Sequence, residues 1–147
     1  MQNPAIIPSI SYRKPGAAVE FLCKAFGFER QTVDEENGHV VTAQLRLGAY
    51  MVLLGPVQDL RYRHTWLRRF RPGQRSLQML LGEDEDPQPI YITVDDVDQH
   101  WRTALKAGAT ILSYPHSEGR GGRSYSCADP EGHIWTFGSF DPHASIH

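Results

Sequence analysis

Hydrophobic and polar residues alternate along several short stretches of the chain. Residues 5–12, AIIPSISY, put Ile6, Ile10 and Tyr12 on one side and Ile7, Ser9 and Ser11 on the other, the period-two signature of a half-buried strand. In the next stretch, 15–26 (PGAAVEFLCKAF), the period lengthens. Ala18, Leu22, Ala25 and Phe26 recur at helical spacing and predict one buried stripe. Pro15 suits a first helical turn, and Gly27 suits the residue just past a helix end. FERQTVDEE and HVVTAQLRL flank Asn37-Gly38, a pair that favours the positive φ values of a tight hairpin turn. Gly48 marks another reversal, and AYMVLL follows as a strand. The first half thus reads β-α-β-β-β.

The second half, from residue 90, repeats the order. IYITV alternates Ile90, Ile92 and Val94 against Tyr91 and Thr93. Residues 96–107 (DVDQHWRTALKA) predict a helix with Asp95 or Asp96 as cap, Gly108 as stop and Val97, Trp101, Ala104 and Leu105 as stripe. ATILS is a short strand. GRSYSCA and HIWTFGSF flank Asp129-Pro130-Glu131-Gly132, a turn sequence in every residue. The repeat has a period of about 80 residues. A ferredoxin-like βαββαβ fold is the alternative that the same pattern allows. Alternation then assigns Ile10, Tyr12, Ile90, Ile92, Val94, Trp135 and Phe137 to the core. The opposite faces carry Ser9, Ser11, Tyr91, Thr93 and Thr136, with Met51 or Leu53 from the fourth strand.

Composition narrows the picture. A chain of 147 residues with 40% hydrophobic and 22% charged residues is long enough for a core of its own. A net charge of −2 argues against nucleic acid as partner. No apolar run approaches the roughly 20 residues of a membrane span, and the start has no secretory signal pattern. A cytoplasmic location with no membrane contact is the expectation. Cys23 and Cys127 form no CxxC pattern and are expected to be reduced, with Cys23 a small buried residue. The connector 56–89 breaks the symmetry: Arg61–Arg75 holds six arginines, and GEDEDPQP follows. The basic segment fits a solvated helix, a cover for a cleft or subunit interface with Trp66 and Phe70 as anchors, or a nucleic-acid contact.

The runs YRKPGAAVEFLCKAFGFE and VDDVDQHWRTALKAGATI, with GGRSYSCADPEGHIWTFGSFDP, resemble the vicinal-oxygen-chelate proteins of the glyoxalase and bleomycin-resistance class. The resemblance covers most of the chain outside 56–89. It implies an α+β fold of two βαβββ modules in tandem, at about 5–55 and 90–140, with 141–147 as a tail. Each module is a curled mixed sheet with a helix on its outer face, and the two form a cleft in one domain.

Metal-using members of that class place ligands on the first and fourth strands of each half. Carried onto this sequence, the first-strand position falls at Ile7, its counterpart at Pro89 and the final-strand position at Thr136. The remaining strand, AYMVLL, has no His, Asp, Glu, Asn or Gln. No metal and no cofactor are therefore expected. The histidines read as surface or loop residues; His100 is expected on the polar side of its helix, and His133 on the core side. The expected function is metal-independent binding of a small aromatic or anionic molecule, in a homodimer. Ser9, Ser11, Met51, Leu53, Trp66, Tyr91, Thr93, Arg123, Tyr125 and Thr136 are the candidate ligand-binding residues. Arg123 and Tyr125 share a strand face that is either inward, supplying a cation and a phenol, or merely exposed. A lyase, isomerase or dioxygenase with unusual site residues and an accessory subunit are the alternatives.

Overall fold

The computed structural model describes residues 3–57, 88–119 and 121–143. The first half runs β1 (Ser9–Tyr12), α1 (Pro15–Phe26), β2 (Glu29–Glu36), β3 (His39–Leu47) and β4 (Tyr50–Pro56). The second runs β5 (Ile90–Thr93), α2 (Val97–Lys106), β6 (Thr110–Ser117), β7 (Arg123–Ala128) and β8 (Ile134–Gly138). Each half makes a four-stranded mixed sheet, in the orders β1-β4-β3-β2 and β5-β8-β7-β6. The matching orders realise the tandem βαβββ architecture. A ferredoxin-like arrangement would interleave the halves in one sheet.

Local chemistry accounts for most boundaries. Asn37 (φ 51°) and Gly38 (φ 78°) both adopt the left-handed conformation that a type I′ turn requires. Gly27 closes α1 at φ 82°. The Asp96 side chain caps α2 by accepting from Gln99 N–H at 3.0 Å. Three expectations are corrected. β1 begins only at Ser9, because Pro8 lacks the N–H that a strand interior needs; Ile6 is 98% exposed, so it does not share the core with Ile10. β6 continues past Ser113 to Ser117, with register shifts that absorb Pro115 on this edge strand. Leu105 leaves the α2 stripe and is 49% exposed, whereas Val97 and Ala104 are buried. The connector, apart from its ends, lies outside the described residues, and so does Trp66.

The helix-bearing faces of the two halves share one core. Phe26 of α1 reaches the second sheet, its ring centroid 5.3 Å from Trp135 and 4.7 Å from Phe137. Polar contacts seal this seam. Tyr12 Oη donates to Asp129 Oδ2 at 2.6 Å, and Trp135 Nε1 donates to the same oxygen at 3.1 Å. The N–H groups of Glu131 and His133 both donate to Asp129 Oδ1 at 3.0 Å. Arg13 and Lys14 N–H donate to the two oxygens of Glu131 at 2.6 and 3.0 Å. His133 Nε2 donates to Ser11 O at 2.9 Å, and its ring lies edge-on to Tyr12. His133 thus bridges the halves from the turn ahead of β8.

Candidate functional site

The faces turned away from the helices are the candidate site, and strand register sets their composition. On the first sheet Ser9 pairs with Leu53, and Leu53 with Gln44. Met51 pairs with Arg46, whose guanidinium lies 3.6 Å from Glu29. Ser9 and Ser11 are exposed, and Met51 and Leu53 are half-buried. Core parity supports this placement, since Ile10, Tyr12, Val52 and Leu54 are buried on the other side.

On the second sheet the equivalent row is Tyr91, Thr136, Ser126 and Ser113. The hydroxyls of Ser126 and Thr136 lie 2.8 Å apart. The next row is Thr93, Gly138, Ser124 and His116. The hydroxyl end of the Tyr91 ring reaches over Gly138: a Cβ there would come within 2.9 Å of two ring carbons. Tyr91 Oη donates to Phe140 O at 2.7 Å, which fixes the ring in that pose. Burial pushes the phenol's pKa up, the Phe140 bond lowers it, and the charges of Glu118 and Asp141 raise it further.

The structure brings Ser9, Ser11, Met51 and Leu53 together on one open face and Tyr91, Thr93 and Thr136 on the other. Arg123 and Tyr125 go elsewhere. They do share a face, but it is the helix-bearing one. Arg123 Nε donates to Asp98 on α2 at 2.8 Å and Nη2 at 2.9 Å, an exposed bidentate pair that lowers the Asp98 pKa and raises that of Arg123. Tyr125 is fully buried, and its Oη lies 2.5 Å from His100 Nδ1. Burial raises the Tyr125 pKa far above the phenol range. The expectation that either residue serves an inward-facing cleft is corrected by the register of β7: Ser126, not Tyr125, pairs with Thr136.

His100 is also relocated. Its ring leans on Phe137 at 4.1 Å and stacks on Phe26 at 6.1 Å, instead of pointing to solvent. Burial lowers its pKa, with a Phe26 carbonyl bond opposing. Burial likewise pushes the Cys127 thiol up to about 12 and raises that of half-buried Cys23, so neither is an activated nucleophile.

Sequence reasoning missed a polar cluster at the end of β6. Ser124 Oγ donates to Glu118 Oε1 at 2.5 Å, and His116 Nε2 sits 3.2 Å from the same oxygen. Ser124 is 4% exposed, whereas His116 and Glu118 face solvent. The two bulges in β6 break its alternation, so no periodicity in the sequence marks these residues.

The equivalent pairings Ser9–Leu53 and Tyr91–Thr136 identify Leu53 as the first-half counterpart of Thr136. The four positions that the resemblance assigns to metal ligands are thus Ile7, Leu53, Pro89 and Thr136. Three lack any side-chain donor and one is a neutral hydroxyl, so the set does not fit a divalent ion. Among the described residues no three His, Cys, Asp or Glu side chains are grouped to hold a metal. A cavity of about 290 Å³ lies away from these faces, at the seam between α1 and the β7–β8 turn. Two of its wall groups, Tyr12 and Asp129, are bonded to each other.

Comparison with known proteins agrees with this geometry. A Mycobacterium bovis protein, Mb0911c, is 30% identical over 137 residues, which cover 92% of this chain and 83% of that protein. TioX from Micromonospora sp. ML1 has the same fold, with a TM-score of 0.66, 24% identity and coverage of 92% of this chain and 94% of TioX. The fosfomycin resistance protein FosX from Listeria monocytogenes superposes with a TM-score of 0.67 at 11% identity, over 99% of this chain and 100% of FosX. Residues 9–137 match the family model of the Glyoxalase/Bleomycin resistance protein/Dioxygenase superfamily, and the chain belongs to that superfamily.

Proposed function

We propose that this chain is a metal-independent, small-molecule-binding member of its superfamily that takes an aromatic ligand on its open sheet faces. The observation that carries this reading is the donor set: Ile7, Leu53, Pro89 and Thr136 stand where a metal-using relative needs coordinating side chains. What the faces offer instead is hydroxyls, the Gln44 amide, an Arg46 guanidinium paired with Glu29, thioether and aliphatic surface, and one aromatic ring held in place, a mixture suited to orienting a small organic molecule. Ser9, Ser11, Met51, Leu53, Tyr91, Thr93 and Thr136 are the proposed contacts. The anionic alternative loses its main support, because Arg123 is engaged by Asp98 on the opposite side.

The chain acts in this reading as one domain and as a homodimer. The helices of both halves pack into a shared core, so each open face needs a facing surface from another chain to become an enclosed cleft. Light scattering is expected to give twice the chain mass; a monomer would remove the dimer from the proposal.

The test of function is a titration of the purified protein with a panel of aromatic compounds, followed by amide NMR. Saturable shifts at Tyr91, Thr93 and Thr136 are expected, with no metal retained at one ion per chain on elemental analysis. A stoichiometric ion together with turnover that EDTA abolishes would replace this reading with a metal enzyme.

A further inference from the structure

One end of the second sheet's open face sets an aromatic ring beside a carboxylate. The ring of Tyr91 covers Gly138, and the carboxylate of Glu118 covers Ser124. Gly138 and Ser124 are direct partners across β8 and β7. Residues so paired stand about 5 Å apart, so the ring and the carboxylate are neighbours on the face. We propose that this pair is a subsite for an organic cation, an ammonium or guanidinium group carried by the ligand. The inference rests on the small-molecule reading above and names the charge that the ligand brings.

Three observations support a cation over an anion. First, the four strands of this sheet themselves contain no lysine and a single arginine, Arg123, whose guanidinium is held by Asp98 on the other face. Second, both short contacts to the Glu118 carboxylate, from Ser124 and His116, use Oε1. Oε2 accepts no hydrogen bond among the described residues. Third, the carboxylates of Glu118 and Asp141 both act on Tyr91 and raise its pKa. A positive group above the ring would meet the negative face of the π system and the carboxylate together. The ring is ordered beforehand by its bond to Phe140 O, so binding loses little rotamer freedom there. Ser124, being buried, holds Glu118 against the sheet in the same way.

The test uses three probes of one shape: 1-naphthylmethylammonium, 1-naphthalenemethanol and 1-naphthoate. Each is titrated into the intact protein near neutral pH, and affinity is read from amide shifts of Tyr91, Ser124 and Gly138. The ammonium is expected to bind about tenfold more tightly than the alcohol, and the carboxylate most weakly. Glu118→Gln keeps an oxygen acceptor for Ser124; it should bring the ammonium to the level of the alcohol and leave the alcohol unchanged. Should that variant fail to fold, salt is the second arm. Between about 0.02 and about 0.5 M salt the wild-type preference should shrink, while affinity for the alcohol holds. Saturable binding in which the alcohol or the carboxylate equals the ammonium would overturn the cation subsite and leave the small-molecule reading standing. The absence of saturable shifts with all three probes would overturn both.

Discussion

At the scale of single residues, Asp129 does the most with the least surface. Its two oxygens accept from Tyr12, Trp135 and two turn N–H groups while the residue is 3% exposed. Burial and the neighbouring Asp129 raise the Tyr12 pKa well beyond the ordinary phenol range, so the hydroxyl remains a donor throughout the physiological window. Tyr12→Phe should lower unfolding free energy by about 2 kcal/mol, read from urea denaturation, since it removes a bond to a charged acceptor. Asp129→Ala should cost more than that, because it leaves several donors unpaired at once. His100 predicts a pH dependence. Burial lowers its pKa in the fold, so the unfolded chain binds the extra proton first. The stability that His100 contributes is complete above about 6.5, the ordinary imidazole value, and is lost as pH falls below it. Wild-type protein should therefore lose more stability between neutral and mildly acidic pH than His100→Gln does; equal losses would clear His100 of the effect. Gly138→Val should displace the Tyr91 ring and weaken aromatic probes about tenfold or more, with the fold retained as judged by circular dichroism.

Among the elements, the hairpins and helix ends follow local chemistry. Gly38→Ala should cost about 1 kcal/mol, because its φ of 78° strains a residue with a Cβ. α1 is the exception. Lys14 gives it no side-chain cap, and the backbone N–H groups of Arg13 and Lys14 turn instead to the carboxylate of Glu131, supplied by the other half. Glu131→Ala should lower the melting midpoint, by a loss of about 1 kcal/mol, although it lies on a turn remote from α1 in sequence. Pattern reading found both helices and most strands, but it misplaced Leu105 and His100 on α2. It ended β1 and β6 wrongly, since Pro8 breaks a period that the flanking side chains continue, and Pro115 is tolerated on a bulged edge.

The whole molecule couples its halves through Phe26, Phe28, Trp135 and Phe137. Phe26→Ala should destabilise by about 4 kcal/mol, since it opens a cavity in the core that both halves share. Fluorescence and far-ultraviolet circular dichroism should report one coincident unfolding transition in wild type and variant alike. Two separated transitions would mean that the halves unfold independently and would count against the single-domain proposal.

The sequence by itself determined the repeated βαβββ order, the buried stripe of α1, the turn at Asn37-Gly38 and the alternation that separates Ser9 and Ser11 from Ile10 and Tyr12. Each of these depends on residues a few positions apart, whose relation the backbone period dictates. Only the tertiary structure decided which side of β7 meets the helices. Alternation shows that Arg123 and Tyr125 share a face, but a charged Arg123 beside apolar Tyr125 and Cys127 gives that face no single character, so hydrophobicity does not name it. The register against β8 does. The same register, across two bulges, carries Glu118, just past the end of β6, to Ser124 on β7, a meeting that no local period encodes.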